Sequence, residues 1–518
     1  MELKIKRETI PVSECIYDGV QEQNIGLDYI LPDYYPDIFR LVHCETVPVI
    51  TDYSVSGSKL TYELRCDMRI LYCGDSSSVL QCVTQQQTYT KTVELDRACD
   101  KADVALSPKT DHVNFRALNK RRLDLRGTVS VKICVTCDKE SEVISDAEGM
   151  NIQLRRVPVS FASVKVSSDK TIQLTDDTEL NAAQPDILSI VSCRCTLADC
   201  ECKLISGKLL AKGNVKISLL YSCETDGEGQ LEPMEFTVPY SQIIDVTDID
   251  DTFSISVTPE VISCEITPSA DKNGANRILR CELEMRLGCR AVKTASVMLA
   301  QDAFSTVYPC DVLSTEISAQ QLPDVTSESF HCTAKLAEGD DMPQKVYAVR
   351  CTPKNINTRL SDDGGAVTVS GMLTYSTAVR DAGGMISMPE RDEAFEQEIL
   401  LDKKAAEDST ITAEIKVKDV SYNISDNGTL TAKADITADI SVSSASRIKV
   451  LTDIAADDSV KKQRDGDYAI KLYFGVENED VWEIAKRYST SVEAVMEENE
   501  LSGDKLGEGG MLLIPIVL

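Results

Sequence analysis

The chain has 518 residues and a formal net charge of −30, which exclude several classes of function before any motif is considered. A surface this acidic repels phosphate groups, so nucleic acid and anionic lipid are excluded as main partners. The length predicts three or four domains, and an apolar content of 42% is enough to fill their cores. With only three histidines, the chain is a poor candidate for histidine-based catalysis or metal binding.

The cellular compartment of the protein is predicted from the lack of long apolar runs and from the number of cysteines. The first residues, "MELKIKRETIPV", contain no apolar run, and no later stretch reaches the roughly 18 apolar residues that a membrane span needs. We therefore expect a cytoplasmic protein without a transmembrane segment. Its nineteen cysteines are expected to be mostly free thiols, and their odd number and scattered spacing predict no disulfide framework.

An internal repeat runs through most of the chain. The segment "YYPDIFRLVHCETV" at 34–47 is similar to "AQPDILSIVSCRCT" at 183–196, and "IPVS" at 10–13 is similar to "VPVS" at 157–160. A weaker third copy contains "SDDGGAVTVSGMLTY", which ends at residue 375. We therefore predict five segments: units at 1–150, 151–300 and 301–455, a linker at 456–465, and a different domain at 466–518.

Each unit is predicted to be an antiparallel β structure. "KLTYELRCDMRILY" at 59–72 and "LRGTVSVKICVTC" at 125–137 alternate apolar and polar residues with a period of two, which is typical of half-buried strands. Glycine-containing turns such as "VSGSK" at 55–59 separate such runs. The predicted fold class is mainly β, with three tandem sandwich-like units followed by a small domain.

Four cysteines lie within ten residues in "CRCTLADCEC", at 193–202. Cys193 falls at the position of Cys44 in the first unit and Cys351 in the third, where the cysteine has no companions. In a continuous strand, Cys193 and Cys195 would face one side of the sheet, and Cys200 and Cys202 would face the opposite side. We therefore predict no metal and no cofactor. The alternative is a thiolate site, which needs a hairpin at "TLAD" to gather Cys193, Cys195, Cys200 and Cys202.

No catalytic signature is recognisable in the sequence. It contains no Walker or Rossmann phosphate loop, no "GxSxG" and no "HExxH". Acidic pairs such as "EGDD" at 338–341 lie in turn-like stretches and are interpreted as solvated charges. We predict that the protein is not an enzyme.

The pattern changes near residue 466. Asp480 and Glu483 form a capping arrangement before "VWEIAKRY", where apolar residues recur at helical spacing, and a second helix and a final strand follow. This stretch resembles a LysM domain in Trp482, "IAKRY" at 484–488, "TSVEAVMEEN" at 490–499, Leu501, Leu506, Gly509 and "LLIP" at 512–515.

The resemblance implies a β-α-α-β fold and, as in many LysM domains, a groove between two loops that binds glycans containing N-acetylglucosamine. Asn478-Glu479-Asp480 replaces the usual Gly-Asp-Thr and makes the first loop acidic. Trp482 is expected to belong to the domain core. The residues predicted to bind a ligand or partner are Asn478, Glu479 and Asp480 in the first loop and Asn499, Leu501, Ser502 and Gly503 in the second.

The repeated units also resemble a known family. "LPDYYPDIFRL", "SGSKL" and "ILY" in the first unit are similar to the SPOCS domain of clostridial and bacillar spore-coat proteins. Tandem SPOCS domains followed by a LysM resemble coat morphogenetic proteins. This implies a non-enzymatic adaptor in the mother-cell cytoplasm that anchors the spore coat at the forespore surface, recruiting the basement-layer ATPase through its LysM. The alternative is a protein that binds peptidoglycan or its glycan precursors.

Overall fold

A computed structural model describes residues 3–74, 80–99, 102–197, 200–205, 207–225, 228–247, 249–320, 323–407, 409–443, 445–462 and 469–515. Most of these residues are in β-strands, apart from one short 3-10 turn (Gly339–Asp341) and two helices near the C-terminus. The predicted mainly-β class is therefore confirmed. Parts of the predicted linker and C-terminal domain, residues 463–468 and 516–518, lie outside the described residues.

The first group of strands forms two facing antiparallel sheets. Their orders are β1-β6-β5 and β2-β3-β4. The alternation in β3 places Leu60, Tyr62 and Leu64 in the core between the sheets, because successive side chains point to opposite faces. The strands are β1 (Lys4–Ile30), β2 (Ile38–Ser56), β3 (Lys59–Gly74), β4 (Leu80–Glu94), β5 (Ala102–Asn119) and β6 (Arg122–Glu148).

The second group repeats this arrangement with the orders β7-β13-β12 and β8-β10-β11. A further strand, β9, continues β8 along the same edge of β10. The strands are β7 (Ile152–Glu179), β8 (Ser189–Leu197), β9 (Glu201–Ile205), β10 (Lys208–Thr225), β11 (Glu228–Asp245), β12 (Ser254–Ala270) and β13 (Asn276–Ser305).

The third group has the same pairing pattern. The paired strands β14 and β22 form one sheet, β15-β21-β20 a second, and β16-β17 with β18 and β19 a third. The strands are β14 (Cys310–Gln320), β15 (Asp324–Glu338), β16 (Lys345–Leu360), β17 (Ala366–Arg380), β18 (Ile386–Ser387), β19 (Glu390–Leu400), β20 (Thr410–Ile424), β21 (Thr429–Ser443) and β22 (Ala445–Ala456).

A repeated arginine shows how the first two groups correspond. Arg121 donates hydrogen bonds to the carbonyl oxygens of Leu31 and Pro32, and Arg277 donates in the same way to those of Asn181 and Gln184. Arg121 also forms an ion pair with Asp37, and Arg277 forms the corresponding ion pair with Asp186. The match between Arg121 and Arg277 fixes which residues of β6 and β13 are equivalent.

The predicted equivalence of the repeat cysteines holds for two of the three units. Cys44 pairs with Ile70 and Cys193 pairs with Leu219, in each case two residues before a buried tyrosine of the neighbouring strand. Cys351 instead lies directly opposite Tyr375, so the third cysteine is shifted by two residues along its strand. The sequence motif "AVRC" therefore aligned the third unit incorrectly.

The three groups share buried cores where they meet. Leu71, Leu220 and Tyr347, one from each group, lie in a single buried cluster. A second shared cluster joins Ile10, Leu299 and Val450 from the other ends of the long strands. Because each group buries apolar side chains against the other two, the three groups pack as one body of sheets.

One cysteine pair differs from the expected free thiols. Cys99 and Cys137 form a disulfide that joins the segment after β4 to β6, and both residues are buried. The other seventeen cysteines are free. The sequence did not predict this bond because 38 residues separate the two cysteines, and only the folding of β6 beside that segment brings them together.

The C-terminal domain has the predicted β-α-α-β order. Two antiparallel strands, β23 (Ile470–Gly475) and β24 (Gly510–Pro515), enclose the helices α1 (Val481–Tyr488) and α2 (Val492–Glu498) in the sequence. Val481, Ile484 and Ala485 of α1 are buried against Val495 of α2 and Ile514 of β24. This small core fixes the two loops that connect strands and helices.

Candidate functional site

The helices of the C-terminal domain begin at capping side chains. Asp480 accepts a hydrogen bond from the backbone nitrogen of Trp482 at 2.9 Å, as its sequence position predicts. Ser491 caps α2 by accepting from the nitrogen of Ala494 at 3.1 Å. The neighbouring Thr490 is buried, and its hydroxyl donates to the carbonyl oxygen of Pro515, which ties the start of α2 to β24.

The acidic side chains of the first loop are directed into the protein. One carboxylate oxygen of Glu479 accepts from the hydroxyl of Tyr473 at 2.6 Å, and the other accepts from the nitrogen of Val476 at 3.1 Å. The hydrogen bond to Glu479 is the main reason that the pKa of Tyr473 is raised. Glu479 is also paired with Arg487, at 3.6 Å. This carboxylate therefore organises the loop instead of forming a free charged rim.

The second loop is tethered by the side chain of Asn499. Its amide donates to the carbonyl oxygens of Val495 and Leu513, and its oxygen accepts from the nitrogen of Leu513, all at 2.7–2.8 Å. Leu501 packs against the small core. Of the four residues predicted in this loop, only Ser502 and Gly503 are exposed.

The two loops are also hydrogen-bonded to each other. The backbone nitrogen of Asn478 donates to the carbonyl oxygen of Leu506 at 2.8 Å. The backbone nitrogen of Leu506 donates to the carbonyl oxygen of Glu479 at 3.0 Å. Asn478 adopts the left-handed region with a φ of 64°, which asparagine tolerates better than most residues. These backbone groups are therefore already used within the chain at the position where the LysM resemblance implies a glycan groove.

We expect Glu479→Lys to destabilise the C-terminal domain by roughly 1–3 kcal/mol, since it removes two hydrogen bonds from a mostly buried carboxylate. The new ammonium group would also lie close to Arg487. Urea unfolding monitored by tryptophan fluorescence measures the effect. Glu508→Lys is the matched control, because Glu508 is exposed. Equal stability of the two variants would contradict the role assigned to Glu479.

The C-terminal domain is docked on the end of β13. The indole nitrogen of Trp482 donates to the carboxylate of Asp302 at 2.8 Å, and the ammonium of Lys486 donates to the same oxygen at 2.6 Å. The ring of Phe304 meets that of Trp482 edge-on, with centroids 4.9 Å apart. A further ion pair joins Arg155 of β7 to Asp480 at 2.8 Å. Trp482 therefore belongs to the domain core, and also forms the junction with the second unit.

The side of the two-stranded sheet that faces away from the helices is apolar and exposed. Leu472 and Phe474 of β23 are 62% and 70% exposed, and Met511 of β24 is 67% exposed. Phe474 lies opposite Met511, and Leu472 lies opposite Leu513, so these side chains form one surface. We call this surface the apolar face, and it consists of Ile470, Leu472, Phe474, Val476 and Met511.

The apolar face is unusual for a solvent-exposed sheet. Tyr473 and Leu512, which alternate with its residues, fill the core beneath the helices, so the sheet is apolar on both sides. Contiguous apolar patches on soluble proteins are typical of interaction sites. Residues 469–515 contain ten acidic and four basic residues, so the domain around the apolar face has a net charge of −6. A matching partner surface would be apolar with a basic rim.

Comparison with protein families now assigns the two kinds of domain. Residues 186–268 match the family model described as "SipL, SPOCS domain", and residues 476–515 match that of the LysM domain. The two matched segments agree with the SPOCS and LysM resemblances seen in the sequence. No curated protein and no solved structure gives a match to this chain. The two matches indicate a sporulation-related binding protein that contains a LysM domain, and both domains are of non-catalytic binding types.

The SPOCS match lies in the second unit and extends from the loop before β8 almost to the end of β12. The LysM match contains both helices, both loops and β24. Within the described residues, no helix is long and apolar enough to cross a membrane.

The cysteine cluster falls inside the SPOCS match, and its strands differ from the predicted continuous one. Leu197 on β8 pairs with Val215 and Glu201 on β9 pairs with Lys212, so the register along β10 differs by one residue between the two strands. Because side chains alternate along a strand, this difference exchanges the faces on which odd-numbered and even-numbered residues lie. As a result, Cys200 packs against the same core as Cys193 and Cys195, and the prediction that it faces the opposite side is wrong.

The structure does not gather the four cysteines that the sequence singled out. The sulfur atoms of Cys193 and Cys195 lie within 4.8 Å of each other and of the sulfur of Cys264 on β12. Cys200 instead lies beside Tyr240, and Cys202 is exposed. Cys264 was not predictable as a member of this cluster, because it lies 71 residues from Cys193 and on the opposite sheet.

Cys193 also differs electrostatically from its counterpart in the first unit. Hydrogen bonds with the thiols of Cys195 and Cys264 lower the pKa of Cys193, and the guanidinium groups of Arg69 and Arg350 act in the same direction. By contrast, burial raises the pKa of Cys44 to about 12. The same position of the repeat therefore carries a partly buried thiol with a raised pKa in one unit and a thiol in a polar cluster in the next.

Proposed function

We propose that the protein is a non-enzymatic adaptor of spore-coat assembly, which acts at the forespore surface in the mother-cell cytoplasm. Its LysM domain recruits the ATPase of the coat basement layer. The observation that carries this proposal is the apolar face, because a surface of five exposed apolar side chains on a docked domain favours a protein partner.

The docked position of the LysM domain supports the adaptor role. Asp302, Phe304 and Arg155 hold the domain against the second unit through Trp482, Lys486 and Asp480. The apolar face lies on the sheet, while these contacts come from α1 and the loop before it. A partner can therefore bind the sheet without displacing the junction.

The loops support the same choice over glycan binding. Glu479 and Asp480 are engaged within the chain, and the backbone groups of Asn478 and Leu506 bond across the two loops. A sugar would have to compete with these bonds. Ser502 and Gly503 are the loop residues left accessible, and we assign them a secondary contact with the protein partner at the margin of the LysM domain.

The proposal is tested by the position of the protein in sporulating cells. A fluorescent fusion of the full chain is expected to surround the forespore on its mother-cell side and to lose this position when the basement-layer ATPase is deleted. The same fusion with residues 469–518 removed is expected to be dispersed. Localisation that is independent of the ATPase, or to the wall of growing cells, would contradict the proposal.

A further inference from the structure

Four cysteine side chains meet between the two sheets of the second unit. Cys193 and Cys195 lie on β8, Cys264 on β12 and Cys281 on β13. The sulfur atoms of Cys193, Cys195 and Cys264 lie within 4.8 Å of one another, and Cys281 is a neighbour of Cys264 whose sulfur lies outside this group of three. The cluster therefore brings together residues from three strands and from both sheets.

The sulfur separations match a metal site better than a disulfide. The sulfur atoms of Cys193 and Cys264 are 3.7 Å apart, whereas a disulfide bond is about 2.05 Å long. A tetrahedral zinc ion with zinc–sulfur bonds of about 2.3 Å places its sulfur ligands about 3.8 Å apart. Little movement is therefore needed for a zinc ion to occupy the space among these three sulfur atoms.

The charges around the cluster complement a thiolate site. Arg69 of the first unit donates to the carbonyl oxygen of Cys193 at 3.2 Å, and Arg350 of the third unit donates to the hydroxyl of Ser192. A zinc ion with four thiolates has a net charge of −2, which two guanidinium groups offset. The nearby carboxylate of Glu45 lies 4.0 Å from a third guanidinium group, that of Arg194.

The first unit shows that the fold does not need these cysteines. The register of the strands and the match between Arg121 and Arg277 align Cys195 with Thr46, Cys264 with Val113 and Cys281 with Leu125. Only Cys193 has a cysteine as counterpart, Cys44. A core of the same architecture therefore packs with threonine, valine and leucine at three of the four positions.

We propose that Cys193, Cys195, Cys264 and Cys281 bind one zinc ion, which joins the two sheets of the second unit. The first three residues supply the preformed ligands, and the sulfur of Cys281 has to move closer to them to complete the tetrahedron. Each thiol releases its proton to solvent when it coordinates the metal, because the thiolate is the ligand. This proposal replaces the expectation of a metal-free cluster, which considered only the four cysteines at 193–202 and neither Cys264 nor Cys281.

The test uses the full chain, purified under reducing conditions and supplied with zinc alone. We expect one zinc per chain by elemental analysis. Replacing zinc by cobalt should give thiolate-to-cobalt charge-transfer absorption together with the visible bands of tetrahedral cobalt. A chelator that removes the metal is expected to lower the melting temperature of the β units.

The variants Cys264→Val and Cys281→Leu copy the first unit, so they should fold, and Cys264→Val is expected to lower bound metal at least tenfold. Cys202→Ser and Cys351→Ser are controls that should keep the metal. Zinc content that is unchanged in folded Cys264→Val would overturn the proposal. So would wild-type protein that binds neither zinc nor cobalt, or that contains a Cys193–Cys264 disulfide by mass spectrometry.

Discussion

Replacing Leu472 and Phe474 by glutamate is expected to weaken binding of the basement-layer ATPase by at least about 100-fold, or about 2.7 kcal/mol. Both side chains are more than half exposed, so in the free protein the new carboxylates remain in water and the small core is kept. In the complex the same carboxylates would be buried without partners, which costs several kcal/mol. Titration of the full-length variant with the purified ATPase measures the loss.

A matched control separates the apolar face from a general effect of added charge. Leu313 and Val325 are also exposed apolar residues, 66% and 60% accessible, but they lie on the third unit. The double variant Leu313→Glu and Val325→Glu should bind the ATPase like the unchanged protein. If both double variants bound equally well, the apolar face would not be the docking surface.

Asp302→Ala is expected to release the LysM domain from the second unit. The substitution leaves the indole of Trp482 and the ammonium of Lys486 without their shared acceptor. The loss costs about 1–3 kcal/mol for the buried indole of Trp482, and less for the partly exposed ammonium of Lys486, which water can solvate. Phe304→Ala should act in the same direction, because it removes a buried ring that packs edge-on against Trp482.

The chain offers a specific signal for this release. Trp482 is its single tryptophan, so a red shift of the emission reports that the junction has opened. The emission of Asp302→Ala is expected to be red-shifted while the β-sheet circular dichroism is unchanged. Asp251→Ala, at an exposed turn, is the control and should keep the wild-type emission. An unshifted spectrum for Asp302→Ala would mean that the junction does not depend on this carboxylate.

Acid should open the same junction in the unchanged protein. Burial opposes ionisation of Asp302, but the hydrogen bonds from Lys486 and Trp482 outweigh it, and the pKa of this carboxyl is lowered. The stabilisation is therefore complete above the ordinary aspartate pKa of about 3.9 and is lost as the pH falls further. The red shift is expected below about pH 4 in the wild type and not in a folded Asp302→Asn variant.

Features set by local alternation were predictable from the sequence. The period of two in "KLTYELRCDMRILY" correctly indicates a strand with Leu60, Tyr62 and Leu64 in the core. Asp480 likewise caps α1 as its position before an apolar helix suggests. In both cases the deciding interactions lie within a few residues of one another.

Features set by contacts between distant residues were not predictable. Asp302 lies 180 residues before Trp482, and no local signal distinguishes it from other acidic residues at strand ends. The acidic composition of the first loop likewise gave no sign that Glu479 is held by Tyr473 and Arg487. A difference of one residue between the registers of β8 and β9 accompanies the packing of Cys200 against the core. The apolar face was missed because both sides of its sheet are apolar, so no alternation marks the exposed one.

Direct binding by the full chain tests the central claim that the LysM domain recruits a protein. The chain is immobilised and titrated in parallel with the purified basement-layer ATPase and with N-acetylglucosamine oligomers. We predict saturable binding of the ATPase that the double substitution of Leu472 and Phe474 by glutamate removes, and no binding of the oligomers. Saturable binding of the oligomers without binding of the ATPase would contradict the adaptor and establish glycan recognition instead.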